Sequence, residues 1–145
     1  MRPLRILYMT SSPSYDYNRQ VIENFRANGG NLENRPLLLL TTKGAKSGQT
    51  RVNPLAFSRD GDRYVVLASK GGAPSNPDWY HNLVANPEVT VEVGPERVQA
   101  RAVVTEGSER ERLFGAHTRQ MPNFAEYQEK TTRPIPVIVL EPITD

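Results

Sequence analysis

Residues 37–69 read LLLLTTKGAKSGQTRVNPLAFSRDGDRYVVLAS, and the fold follows from how this stretch is punctuated. Its first part, Leu37–Thr42, is apolar, short and closed by a Lys-Gly turn, which suits a buried strand better than a helix. Val52–Ser58 and Arg63–Ser69 flank Asp60-Gly61-Asp62. Asp-Gly supplies the positive φ that a tight turn needs, so the two segments are expected to form a hairpin. A second hairpin is predicted downstream, where Glu88–Val93 and Arg97–Val104 flank Gly94-Pro95-Glu96. Ile135–Glu141 reads as the last strand. Helices are expected between and around these strands. Tyr17–Asn28 has Val21, Ile22 and Phe25 at helical spacing and stops at Gly29-Gly30. Asp78–Ala85 follows Asn76, a candidate cap, and Pro77. Glu109–Arg119 follows a Ser108-x-x-Glu111 capping box, and Phe124–Lys130 forms a further turn or two. About six strands with few helices make a mainly β fold with flanking helices, either a β-barrel or a highly curved sheet.

The chain has 145 residues, which fits one domain. Residues 17–145 are expected to form that domain, and residues 1–16, rich in Ser, Pro and Tyr, an N-terminal arm. Leu4–Met9 is apolar but too short to span a bilayer, so the arm admits at most a weak membrane-surface association. There is no cysteine, which excludes disulfides, thiolate metal sites and a Cys nucleophile. Absent disulfides suit a reducing compartment, and a cytoplasmic location is expected. Net charge is only +2, but it is unevenly spread. From Arg35 to Arg59 there are five Lys and Arg and no Asp or Glu, so the rest of the chain is net acidic. A concentrated positive segment suits an anionic partner, and on charge alone a plain solvated basic face fits equally well.

Hydrolytic and metal chemistry lack their parts. No Gly-x-Ser-x-Gly elbow and no Ser-x-x-Lys pattern occurs. His81 and His117 stand 36 positions apart without an HExxH context and read as surface or helix-packing residues. No metal site is expected, because carboxylates do not cluster. Lys43-Gly44-Ala45-Lys46-Ser47-Gly48-Gln49-Thr50-Arg51 is not a P-loop, whose glycines lie elsewhere. It offers similar physics. Gly44 and Gly48 let the backbone turn, Ser47 and Thr50 present hydroxyls, Lys46 brings a point charge, and Arg51 brings a planar fork suited to phosphate. A second cluster, Ala68-Ser69-Lys70-Gly71-Gly72-Ala73, leads into Asn76-Pro77-Asp78-Trp79-Tyr80 at a helix start. Gly-Gly there permits close approach to a flat ring, while Trp79 and Tyr80 on their own would serve as core packing. No recognition helix or aromatic RNA-binding pattern is present, so nucleic acid is not expected as a partner.

In this order, Leu40–Leu55, the Asp-Gly-Asp turn, Ala68–Gly72, Asn76–Pro87 and Tyr127–Val137 resemble the deazaflavin-dependent nitroreductase family. The likeness spans about residues 17–142. It implies a split β-barrel of the FMN-binding type that carries coenzyme F420. By that resemblance Lys46, Ser47 and Arg51 hold the phosphate and nearby chain. Val52, Asn53, Pro54, Leu55 and Ala56 run beside the deazaflavin. Leu67, Ala68, Ser69 and Lys70, together with Asp78, Trp79, Tyr80, His81 and Asn82, complete the pocket. Phe124 lies near the ring and Tyr127 lines the substrate side. Many relatives have Arg where this chain has Ala45, and the nitroimidazole-activating member has tyrosines at the positions of Met121 and Phe124. Those departures remove one phosphate contact, argue against nitroimidazole reduction and make the pocket wall more apolar.

The expected activity is therefore hydride transfer from reduced F420 to an electron-poor small molecule such as a quinone, an enone or a nitro compound. The cofactor brings the chemistry, and the protein brings binding, orientation and electrostatics, which fits the absence of a visible catalytic dyad. Two side chains are catalytic candidates. Ser69 could offer a hydroxyl to ring or substrate, and Tyr127, a phenol protonated at neutral pH, could donate to the reduced acceptor. The alternatives are an FMN-binding oxidoreductase on the same barrel and a non-catalytic module for F420 or a fatty acid. Split barrels commonly pair, so a homodimer is expected by analogy.

Overall fold

A computed structural model describes residues 13–30 and 36–143. The first twelve residues of the expected N-terminal arm, including Leu4–Met9, lie outside the described residues. Helix α1 (Pro13–Ala27) starts four residues ahead of Tyr17, so the rest of the arm is helical. The strands are β1 (Leu37–Lys43), β2 (Thr50–Ala56), β3 (Ser58–Asp60), β4 (Arg63–Leu67), β5 (Glu88–Val93), β6 (Glu96–Val104) and β7 (Val137–Pro142). Helix α2 (Asp78–Ala85) joins β4 to β5, while α3 (Gly107–Gln120) and α4 (Asn123–Glu129) join β6 to β7.

All seven strands belong to one antiparallel sheet in the order β2-β1-β5-β6-β7-β4-β3. Its two edge strands, β2 and β3, are consecutive in the chain with only Phe57 between them. The sheet therefore curls until both edges meet at one residue. Phe57 is buried there, its N–H donates to the Pro36 carbonyl at 3.0 Å, and its ring meets Tyr64 edge-on at 5.8 Å. Inside the curl, Leu38, Leu40, Val66, Val91, Ile138 and Leu140 form a core with Trp79 and Leu83 from α2. Leu39 faces the other way and is also fully buried, which is why β1 opens with four leucines rather than alternating. A second cluster lies on the outer face, where Val65, Leu67, Val137 and Val139 meet Leu113, Phe124 and Ile135.

Three local expectations are corrected. Residues 52–56 do not pair with 65–69. They pair with β1 in register Leu38–Leu55 and Leu40–Asn53, so the Lys43–Thr50 turn closes a hairpin of its own. Only β3 pairs across Asp60-Gly61-Asp62, and this split raises the strand count to seven. Asn76 does not cap α2, because its side-chain oxygen accepts from Arg133 Nη1 at 2.6 Å and Pro77 takes the cap position. Ser108 and Glu111 form no capping box, because α3 already starts at Gly107, with Glu106 before it and no side-chain cap.

Candidate functional site

The β1–β2 turn and α2 face each other across an open cleft of about 690 Å³. Lys46 and Ser47 come from the turn, Arg51 and Asn53 from β2, and Asp78, His81 and Asn82 from α2. All seven were expected at the site from the sequence. Gly44 and Ala45 line it as well, through the shape of the turn. Gly44 N–H donates to the Gln49 carbonyl at 2.7 Å, and Gly48 N–H donates to the Gly44 carbonyl at 3.0 Å. Gly48 sits at φ +73, where glycine is favoured. Ser47 Oγ accepts from Gln49 N–H at 3.1 Å, which turns the hydroxyl back into the turn.

Asn82 anchors this turn. Its Oδ1 accepts from the Ala45 N–H at 3.0 Å and its Nδ2 donates to Thr42 Oγ1 at 3.1 Å. Both groups of the buried amide are thus spent on the protein, so its side chain shapes the cleft wall. Lys46 and Arg51 are exposed, and neither makes an ion pair among the described residues. Two unpaired cations on a tight turn suit phosphate oxygens, Arg51 by its fork and Lys46 as a point charge. Asp78 is the cleft's acid.

The remaining expected residues divide between two other places. Trp79 and Ala68 are buried in the interior core, with Leu55 and Tyr80 packed against its edge. For Trp79, 6 % exposed, core packing is the role its position supports. Val52 and Pro54 are half-buried on β2, and Lys70 is exposed. Leu67 and Phe124 belong to the outer cluster, against which Ala56, Met121 and Tyr127 pack.

Around that cluster the two catalytic candidates come to neighbouring elements. Ser69 precedes a short turn, Lys70–Gly72, that packs against α4. The approach is close enough that a Cβ on Gly72 would lie 2.8 Å from the Tyr127 carbonyl oxygen. Tyr127 is half-buried, its ring meets Phe124 edge-on at 5.3 Å, and its hydroxyl accepts from Asn123 Nδ2 at 3.2 Å. That bond leaves the phenolic proton available. Ser69 is buried, and its hydroxyl makes no cap bond to the turn it precedes.

The two histidines part company. His81 is exposed on the cleft. His117 is fully buried on α3, with Nδ1 2.8 Å from Ser58 Oγ and its ring edge-on to Phe124 at 4.7 Å. Its Nε2 has no hydrogen-bond partner among the described residues. Burial pushes its pKa down to about 4, so the ring is neutral at physiological pH and helps to fix Phe124.

Sequence reading missed Arg133. It is half-buried and donates to four oxygens around Ala68–Asn76. The only signal was its place in the Tyr127–Val137 segment. Among the described residues no group of His, Asp and Glu could hold a metal ion, and no helix is long and apolar enough to cross a membrane.

A family model described as F420H(2)-dependent quinone reductase matches residues 16–142. An F420H(2)-dependent quinone reductase of Mycobacterium tuberculosis is 44% identical over 124 residues, covering 80% of this chain and 83% of that protein. The solved structure of an F420-H2 dependent reductase, FDR-A, is 44% identical with a TM-score of 0.69, covering 74% of this chain and 95% of that one. Another solved structure, a domain-swapped dimer, is 41% identical with a TM-score of 0.71, covering 90% of this chain and all of that one (100%). The heme storage protein of Vibrio cholerae, 18% identical with a TM-score of 0.60, covers 87% of this chain and 90% of its own and shares the fold alone.

Proposed function

Because the chain belongs to the F420H(2)-dependent quinone reductase family, we propose that its cleft holds the phosphate end of F420 and that the Ser69–Tyr127 region receives the acceptor. The protein is an F420H2-dependent oxidoreductase on a split β-barrel. Family membership favours F420 over FMN and a reductase over a non-catalytic module. The observation that carries the site assignment is the pair Lys46 and Arg51, exposed on a glycine-shaped turn and the start of β2 beside the cleft, with no ion pair among the described residues.

When bound, reduced F420 supplies the hydride. The chain's own residues do the rest. Lys46 and Arg51 neutralise the phosphate, and Asn82 keeps their turn in shape. Ala56, Leu67, Phe124 and Met121 give the acceptor side an apolar wall that excludes water and suits a quinone ring. Tyr127 holds its proton where it can be given to an acceptor oxygen as negative charge develops there. Ser69 offers a hydroxyl. Quinones are the proposed acceptor class, with nitroimidazoles disfavoured by Met121 and Phe124. A homodimer is proposed as well, supported by the dimeric relative and testable by light scattering on a sizing column.

The experiment has two parts. Fluorescence titration with F420 and FMN reads binding, and loss of F420H2 with a panel of quinones reads turnover. The proposal expects F420 to bind at least tenfold more tightly than FMN and to be oxidised by quinones. Tighter FMN binding, or F420 binding with no turnover on any quinone, would remove it. Tyr127→Phe is expected to lower kcat by about a hundredfold with little change in F420 affinity.

A further inference from the structure

The geometry points to Arg133 as a positioning residue that holds the Ala68–Asn76 wall in the shape F420 meets, without itself touching the cofactor. This rests on the site proposed above and adds a residue to it. The segment has little to support it. Lys70, Gly71 and Gly72 all have positive φ, at +48, +65 and +88, and such values are costly for a lysine. Its own bonds are Gly72 N–H to the Ser69 carbonyl at 2.9 Å, Ala73 N–H to the Lys70 carbonyl at 3.1 Å and a long Lys70 Nζ to Ser75 Oγ contact at 3.4 Å, with Ala68 N–H held by the Pro136 carbonyl at 2.9 Å.

Arg133 supplies the missing ties. Its Nε donates to the Ala73 carbonyl at 2.9 Å and its Nη2 to the Ser69 carbonyl at 2.9 Å. Its Nη1 donates to Asn76 Oδ1 at 2.6 Å and to the Ala68 carbonyl at 3.3 Å. No carboxylate pairs with it among the described residues, so its charge is spent on neutral oxygens of one loop. Two consequences follow. In a trans peptide the C=O and N–H point in opposite directions. Turning the carbonyls of Ala68 and Ser69 toward the guanidinium therefore turns the N–H groups of Ser69 and Lys70 away from it. Asn76, one residue before Pro77, ties the same guanidinium to the start of α2, which carries Asp78, His81 and Asn82 into the cleft.

The clamp also reaches the acceptor side. Gln128, next to Tyr127 on α4, donates from Nε2 to the Arg133 carbonyl at 2.8 Å and accepts at Oε1 from Ile135 N–H at 2.9 Å. Arg110 Nη2 braces this arrangement through Gln128 Oε1 at 3.2 Å and the Ile135 carbonyl at 2.8 Å. Arg133 thus ties the Ala68–Asn76 loop through its guanidinium and α4 through its backbone carbonyl. Lysine keeps the charge but lacks the planar fork that spans four oxygens.

Arg133→Lys is the test, read in two ways. Hydrogen exchange on the cofactor-free variant is expected to be at least tenfold faster over residues 68–76 and the first turn of α2, with β1, β5 and β6 at wild-type rates. Its F420 dissociation constant is expected to rise at least tenfold. An affinity within twofold of wild type overturns the inference. So does a variant that exchanges faster everywhere or fails to fold, since Arg133 would then support the whole domain. If wild-type protein does not bind F420, the site proposal fails instead, and the exchange result still reports whether Arg133 holds the loop.

Discussion

Arg51 and Lys46 line the cleft with Asp78, and neither makes an ion pair among the described residues, so both remain available to a phosphate. Arg51→Ala is expected to weaken F420 binding at least tenfold and leave the melting temperature unchanged, because a charged hydrogen bond contributes on the order of 1.5–3 kcal/mol. Both residues were legible in the sequence because charge on a glycine-flanked turn is visible without a structure. Trp79 and Asn82 were both read as pocket residues; Trp79 packs the core, while Asn82 lines the cleft with its amide held by Thr42 and Ala45. A single sequence shows neither direction nor partner. His117 carries a pH prediction. Its folded pKa of about 4 lies below the ordinary 6.5, so the unfolded chain takes up the proton first. Its stabilising effect is complete above pH 6.5 and is lost as the pH falls toward 4, by about 3 kcal/mol. Urea midpoints measured from pH 7 to pH 4 are expected to fall steeply in wild type and less steeply in His117→Gln.

At the scale of elements, the turns were legible and the pairings between them were not. Asp60-Gly61-Asp62 and Gly94-Pro95 are turns as expected, but the strand before the first one breaks at Phe57 and sends its two halves to opposite edges of the sheet. Nothing local marks that break, because Phe57 is an ordinary strand residue whose bend is set by tertiary closure. The Lys70–Gly72 turn shows the same dependence on a neighbour. A Cβ at Gly72 would lie 2.8 Å from the Tyr127 carbonyl oxygen and 2.9 Å from Lys130 Cβ, at φ +88. Gly72→Ala must move α4 or the turn, at a cost of about 1–3 kcal/mol. A calorimetric melt reads the stability loss, and a raised KM for quinone reads displacement of the Tyr127 wall. Asn82→Ala leaves the Ala45 N–H without its acceptor, and weaker F420 binding is expected from a loosened turn, measured by the same titration.

Over the whole molecule, a sheet whose two edge strands are parted only by Phe57 carries the two proposed binding surfaces on different elements. The cationic cleft lies beside α2, and the apolar cluster lies under α3 and α4. The turn and clamp between them, from Ala68 to Asn76 with Arg133, link the two. A mainly β barrel was legible from strand spacing, and the ordered motifs pointed to the family. The division of the expected site residues among cleft, core and outer cluster emerges only when the sheet is closed. On the proposed reading, the Lys43–Arg51 turn receives the anionic end of F420. A crystal structure of the protein with F420 tests it most directly. It should show phosphate oxygens within hydrogen-bond distance of Arg51 and Lys46, with the ring running toward Ser69. A cofactor bound elsewhere, with this turn facing only solvent, would contradict it.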